Sequence, residues 1–291
     1  MEIITPLDKI QNPLRAAIFD MDGVTLNSME FHYNWQKSIY EKIGDKSKSF
    51  GPYTDEWMDN YNKIYAEQGM PALYNLISHV GFDKNEAKIW KLYNEYCQEN
   101  PLSTVKVDGV DMANVISEVY NRGVVTPNRM TRLRLGINTT KGRMSLDKIL
   151  NKVNLDGCFD TIITYDDILK VLVNGKAKQE VIDYDNIEML TKLVPSDVKH
   201  YIEKPNSLSA MLAINGLGVH PSEVIAFEDT ANGIYAYKNI LVAPRPADAY
   251  VVGVTWGFVK DKQKLINAGA DAIMEHPKEI IPFLEMLGAF K

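Results

Sequence analysis

The sequence predicts an α/β fold: a doubly wound parallel sheet with a separate, helical domain inserted near its start. Three observations carry this. Short, fully apolar runs such as Ala16–Phe19 and Ile225–Phe227 recur along the chain, and both of these stop abruptly in acids. Stretches of helical period lie between such runs, so strands alternate with helices. The interval from Met29 to about Val105 breaks the alternation, being helical in pattern throughout and rich in aromatics, among them Trp35, Tyr40, Tyr53, Trp57, Trp90 and Tyr93.

Composition bounds what the fold can serve. A chain of 291 residues holds one large domain or two smaller ones. Its hydrophobic content of 45% and charged content of 24% are those of an ordinary globular protein. A net charge of −6 gives no basis for a nucleic-acid partner. Cys97 and Cys158 show no metal-ligand spacing, which argues against disulfide scaffolding or structural zinc and fits a reducing compartment. The N-terminus lacks the basic start and apolar run of a secretion signal, and no run is long enough to span a bilayer. The expectation is a cytoplasmic protein with no membrane partner, a monomer or weak homo-oligomer.

In chain order, residues 1–14 form a lead-in of little periodicity. The first strand, Ala16–Phe19, runs into Asp20-Met21-Asp22-Gly23. Gly44-Asp45, Gly51-Pro52, Gly69-Met70-Pro71, Gly81-Phe82-Asp83 and Asn100-Pro101 then punctuate a small helical bundle. The core resumes near Val107, and Met112, Val115, Ile116 and Val119 share one face of a helix over Met112–Arg122. Leu133–Thr140 is a second strand ending in hydroxyls, followed by a helix to about Leu155 and a third strand at Phe159–Thr164. Ile225–Phe227 leads a fourth strand into Glu228-Asp229; Leu241–Ala243 and Val251–Val254 continue the pattern, and Ala272–Met274 suits an edge strand. The core is thus 1–28 with 106–291, the inserted helical domain is 29–105, and 166–203 is a polar insertion within the core, with helix expected around Gln179–Leu193.

The acids carry the chemistry. Asp20 and Asp22 end one strand and Glu228 and Asp229 end another, and carboxyl ends of parallel strands are where ligands bind. Carboxylates crowded there repel one another, so a cation is their natural partner. Thr139 and its neighbour Thr140 sit at a strand-to-helix junction, where unpaired backbone N–H groups suit an anion; the alternative for Thr139 is a helix cap. Arg143, one turn on, is a further candidate for the anion, and an exposed helix arginine is its alternative. Lys204, in Glu203-Lys204-Pro205, could offset both the acids and an anionic substrate.

Asp20-Met21-Asp22-Gly23-Val24-Thr25 resembles the first motif of the haloacid dehalogenase superfamily, in its phosphatase and β-phosphoglucomutase-like branch. Phe227-Glu228-Asp229-Thr230-Ala231-Asn232-Gly233 resembles its fourth motif, with weaker matches at Thr139 and at Lys204-Pro205. The resemblance implies a Rossmann-like core with a helical cap that closes over the site and selects the substrate. It implies Asp20 as nucleophile and Asp22 as general acid/base. Thr139, Thr140 and Lys204 would hold phosphate. Asp20, the Asp22 carbonyl, Asp229 and Glu228 would form an oxygen-only site for Mg2+, Glu228 directly or through water. His32 would sit near the hinge, supporting Asp22 or serving only as a hinge residue. The 166–203 interval is about thirty residues longer than the family's short link, and is either a surface decoration or a partial lid.

The expected function is hydrolysis of a small phosphorylated metabolite through an aspartyl-phosphate. A sugar phosphomutase is the alternative. It would need a second phosphate site, for which arginine is best shaped, and residues 29–121 contain none. A non-catalytic binding or regulatory protein on the same fold is the third reading, against which all the acids and the lysine stand in place.

Overall fold

The computed structural model describes residues 1–7, 14–54, 56–57, 82–100, 102–122, 125–126, 129–130, 132–174, 201–242, 245–246 and 249–290. The chain separates into two compact units, residues 1–25 with 104–291, and residues 26–103.

The larger unit is a mixed α/β structure around a seven-stranded sheet. Its strands are β1 (Glu2–Ile3), β2 (Ala16–Phe19), β7 (Arg134–Asn138), β8 (Thr161–Ile163), β9 (Val224–Glu228), β12 (Tyr250–Val254) and β13 (Ala272–Met274), in the order β1-β13-β12-β9-β2-β7-β8. The numbering leaves room for three two-stranded ladders outside the sheet, β3 (Lys106–Val107) with β4 (Val110–Asp111), β5 (Val125–Thr126) with β6 (Arg129–Met130), and β10 (Leu241–Val242) with β11 (Arg245–Pro246). All neighbours in the large sheet run parallel except β1, which pairs antiparallel with β13. Two expectations change here. Ala272–Met274 is not the edge, because the lead-in covers it with Glu2–Ile3. Leu241–Val242 does not join the sheet but folds back on Arg245–Pro246.

The helices, numbered in chain order through both units, are α1 (Ser28–Ile43), α2 (Phe82–Glu99), α3 (Met112–Asn121), α4 (Arg143–Lys152), α5 (Tyr165–Asn174), α6 (Leu208–Leu217), α7 (Ala231–Lys238), α8 (Lys262–Asn267) and α9 (Ile280–Met286). Strand alternation decides which residues face which layer. Ala16, Ile18, Val224, Ala226 and Val251 pack with Ile214 and Leu217 of α6, Ile234 and Tyr237 of α7, and Leu265 of α8. On the opposite face Phe19 and Phe227 stack at 4.8 Å, and Tyr250 meets Phe283 of α9 at 6.0 Å between ring centroids. Both faces are covered, which explains why the central strands are apolar at every position rather than at alternate ones.

Local chemistry sets the ends of these elements. Asp108 and Gly109, both at positive φ, make the tight turn between β3 and β4. Asp111 then caps α3 by accepting from Ala113 N at 2.9 Å. Gly218 ends α6 in the left-handed conformation, and His220 caps the 3₁₀ turn Pro221–Glu223 that feeds β9. In the smaller unit, Trp35 and Ile39 of α1 pack on Ile89 of α2, with Phe31, Tyr93 and Tyr96 around them. Phe31, Trp35, Tyr93 and Tyr96 therefore serve its core. Within 166–203 the structure describes α5 and residues 201–203; the helix expected around Gln179–Leu193 lies outside the described residues. No helix among the described residues is long and apolar enough to cross a membrane.

Candidate active site

Register builds the site. Phe19 of β2 is level with Phe227 of β9 and with Ile137 of β7. The next residue on each strand is therefore Asp20, Glu228 and Asn138, a row across three strands at the carboxyl edge. Glu228 and Asn138 continue the face that carries Ala226 and Gly136, toward α6 and α7. The Asp20 amide donates to the Phe227 carbonyl at 3.1 Å, prolonging the ladder one step past β2.

Lys204 enters from the segment before α6 and spans this row. Its ammonium donates to Asp20 Oδ1 at 2.7 Å, Glu228 Oε1 at 2.8 Å and the Asn138 carbonyl at 3.3 Å. Carboxylate oxygens of Asp20, Glu228 and Asp229 lie within 4.8 Å of one another, and all three residues are buried. Burial is the main force on each acid. It raises the pKa of Asp20 against the lowering pull of Lys204, pushes Glu228 up to about 8, and lifts Asp229 well above the carboxylate range, helped by the charge of Asp20. The same burial opposes the charge on Lys204, but Asp20 and Glu228 outweigh it and hold the ammonium firmly protonated.

The donor set fits a hard divalent cation. Three carboxylates against one ammonium leave two formal negative charges, and the donors are all oxygen. Glu228 Oε2 is buried without a hydrogen-bond partner among the described residues, an acceptor left over once Lys204 has taken Oε1. Glycines keep the room. A Cβ on Gly233 would lie 1.9 Å from Glu228 Oε2; on Gly23 or Gly257 it would fall 1.9 or 2.2 Å from Asp229 Oδ2.

Thr139 is buried at the end of β7, and its Oγ1 accepts from Lys141 N at 3.1 Å. It is therefore a local turn former and not a helix cap; Gly142 holds the cap position of α4. Thr140, one residue on, is half-buried. Arg143 is committed elsewhere, donating to the Ile162 carbonyl at 2.6 Å and to Asp167 Oδ2 at 2.7 Å, so it ties α5 to β8. His32 belongs to the smaller unit, where its Nδ1 accepts from the Trp35 indole at 3.1 Å.

Three groups escaped the sequence reading. Lys141 pairs with Asp22 Oδ1 at 3.1 Å, placing a second ammonium beside the second acid. Phe258 N donates to Asp229 Oδ2 at 2.7 Å, fixing that carboxylate. The Trp256 indole donates to the Val24 carbonyl at 3.1 Å and steadies the turn after Asp22. The loop after β12 lies far along the chain from both acids it serves; only its aromatic-glycine-aromatic sequence, Trp256-Gly257-Phe258, hinted at a close approach.

A family model for haloacid dehalogenase-like hydrolases matches residues 14–240. A curated relative, a phosphorylated carbohydrates phosphatase of Thermotoga maritima, is 22% identical over 277 residues, 94% of this chain and 99% of its own. Among solved structures, a Thermotoga maritima protein provisionally named a β-phosphoglucomutase aligns with a TM-score of 0.60 at 20% identity, over 94% of this chain and 99% of that one. CbbY of Rhodobacter sphaeroides, solved in complex with phosphate, aligns at 0.54 with 17% identity, over 92% and 96%. At such identities the structural likeness speaks for the fold.

Proposed function

The chain belongs to the haloacid dehalogenase-like hydrolases, and within that family we propose that it is a magnesium-dependent phosphatase of a small phosphorylated metabolite. The observation that carries the reading is the buried trio Asp20, Glu228 and Asp229, with Lys204 bridging the first two. The name of the phosphorylated carbohydrates phosphatase supports a phosphate-ester substrate.

In this reading Asp20 attacks phosphorus in line; its bond to phosphorus forms as the ester P–O bond breaks, giving an aspartyl-phosphate. Asp22 gives its proton to the departing alcohol oxygen. It then takes a proton from the water that attacks the same phosphorus, and Asp20 is released with inorganic phosphate. Lys204 and the Thr139–Thr140 turn hold the transferring oxygens. Asp20, the Asp22 carbonyl, Asp229 and Glu228 would hold magnesium, which when bound screens the phosphate's charge from Asp20. His32 supports Asp22 or acts only at the hinge. Residues 29–105 select the ester, and the setting is the cytoplasm.

The absence of arginine from residues 29–121 favours transfer to water over transfer to a second phosphorylated sugar. The test is a screen of phosphate esters, including β-glucose 1-phosphate, with chelator-treated and magnesium-loaded protein. Release of inorganic phosphate only with metal is expected. Full turnover in the chelated protein, or isomerisation without phosphate release, would refute the reading.

A further inference from the structure

The row that Lys204 spans contains one side chain that the chemistry above does not use. Asp20 and Glu228 offer carboxylates to the ammonium, whereas Asn138 offers its main-chain carbonyl. The Asn138 side chain turns instead into the helical layer, where its Nδ2 donates to the Tyr237 hydroxyl at 3.0 Å. Both residues are fully buried, and Tyr237 lies in an apolar cluster with Ile214, Leu217 and Ile234. Packing alone does not select a polar pair there. Two buried groups that satisfy mainly each other add little net stability, and apolar residues of the same shape would serve about as well. The pair is also incompletely satisfied, since Asn138 Oδ1 has no hydrogen-bond partner among the described residues. Tyr237 is no proton donor in waiting, because burial first, and the charge of Glu228 next, raise its pKa further.

We propose that Asn138 and Tyr237 are positioning residues, whose hydrogen bond fixes the end of β7 so that the Asn138 carbonyl holds the third hydrogen of Lys204. The inference rests on the phosphatase reading, in which the fixed positive charge of that ammonium offsets the charge of the transferring oxygens. The peptide bearing the carbonyl is anchored on its far side by Thr139 N, which donates to the Ile163 carbonyl at 3.0 Å. The Asn138 side chain supplies the anchor on the near side. With both in place the ammonium is held by three acceptors, which define a position; two carboxylates alone leave it free to swing about the line between them.

The test uses Tyr237→Phe, Asn138→Val and the double variant, assayed with p-nitrophenyl phosphate and magnesium beside thermal melts. Each single variant should lower kcat about tenfold, the loss usual when a group orienting a contact residue is removed. The double variant should melt close to wild type yet keep the low kcat. Recovery of kcat together with melting temperature, or wild-type turnover by Tyr237→Phe, would make the pair structural and overturn the inference. A second measurement reads the affinity for inorganic phosphate by calorimetry. Tyr237→Phe should weaken it about threefold in the wild-type background and leave it unchanged in a Lys204→Met background; equal effects in both would also overturn the inference. This cycle tests the pair even if the wild type hydrolyses no ester, an outcome that counts against the phosphatase reading alone.

Discussion

Gly233→Ala opposes two rules with different signs. Gly233 is the third residue of α7, where replacing glycine by alanine ordinarily stabilises a helix by about 1 kcal/mol. Here the new Cβ would stand 1.9 Å from Glu228 Oε2, 2.6 Å from its Cδ and 3.2 Å from Thr230 Oγ1. Glu228 cannot swing aside cheaply. It is 1% exposed, and its other oxygen is held by Lys204 at 2.8 Å. Either the start of α7 shifts, losing the Thr230 cap on Gly233 N, or Glu228 rotates and leaves Lys204. Overpacking costs about 1–3 kcal/mol and a charge-assisted hydrogen bond about 1.5–3. With the crowding and the lost hydrogen bond combined, subtracting the helix gain leaves about 1.5–5 kcal/mol, roughly 3–20 °C in melting temperature for a unit of this size. Circular dichroism melts in chelator and at rising magnesium should show that drop and a weaker stabilisation by metal. A variant that melts at or above wild type, with unchanged response to magnesium, would refute the argument that Glu228 is fixed in place.

Asp20→Asn should abolish turnover with little change in melting temperature, since the amide nearly matches the carboxylate in shape but is a poor nucleophile; unchanged turnover would place the nucleophile elsewhere. Lys204→Met leaves Asp20 and Glu228 facing each other without their ammonium, and the metal-free protein should lose about 3–5 kcal/mol by denaturant titration. Lys141→Met should leave stability within about 1 kcal/mol but slow ester turnover about fivefold, because Lys141 holds Asp22; an unchanged rate would confine it to the surface. Asp111 is a pH probe away from the site. Burial raises its pKa, but the Thr104 hydroxyl, Ala113 N and Lys106 together lower it below the usual carboxylate value. A carboxylate lowered on folding stabilises above its unfolded pKa, and that contribution disappears as the pH falls through the folded value. Asp111→Ala should therefore cost about 1–2 kcal/mol at neutral pH and less in acid; a gap constant with pH would contradict the shift.

The sequence by itself determined the strand ends that carry the acids. Ala16–Phe19 and Ile225–Phe227 are apolar at every position because both faces of the sheet are covered, and a run so uniform makes its terminal Asp20 and Glu228 stand out. Helical period likewise marks 29–105 as an expected insertion, and residues 26–103 cluster as a compact unit. Tertiary structure alone decided how those ends combine. Register sets Asp20, Glu228 and Asn138 in one row, and register depends on which strands become neighbours, which short apolar runs do not encode locally. Lys141 and Phe258 reach Asp22 and Asp229, and Trp256 reaches the Val24 carbonyl, across long sequence separations, so their local sequence does not name the partner. The same limit left Arg143 open between an anion contact and an exposed helix face, whereas it holds α5, and it misplaced Leu241–Val242, whose apolar pair closes a small ladder instead of extending the sheet. Glu2–Ile3 was too short to show a period and became a strand only because β13 offered it an open edge.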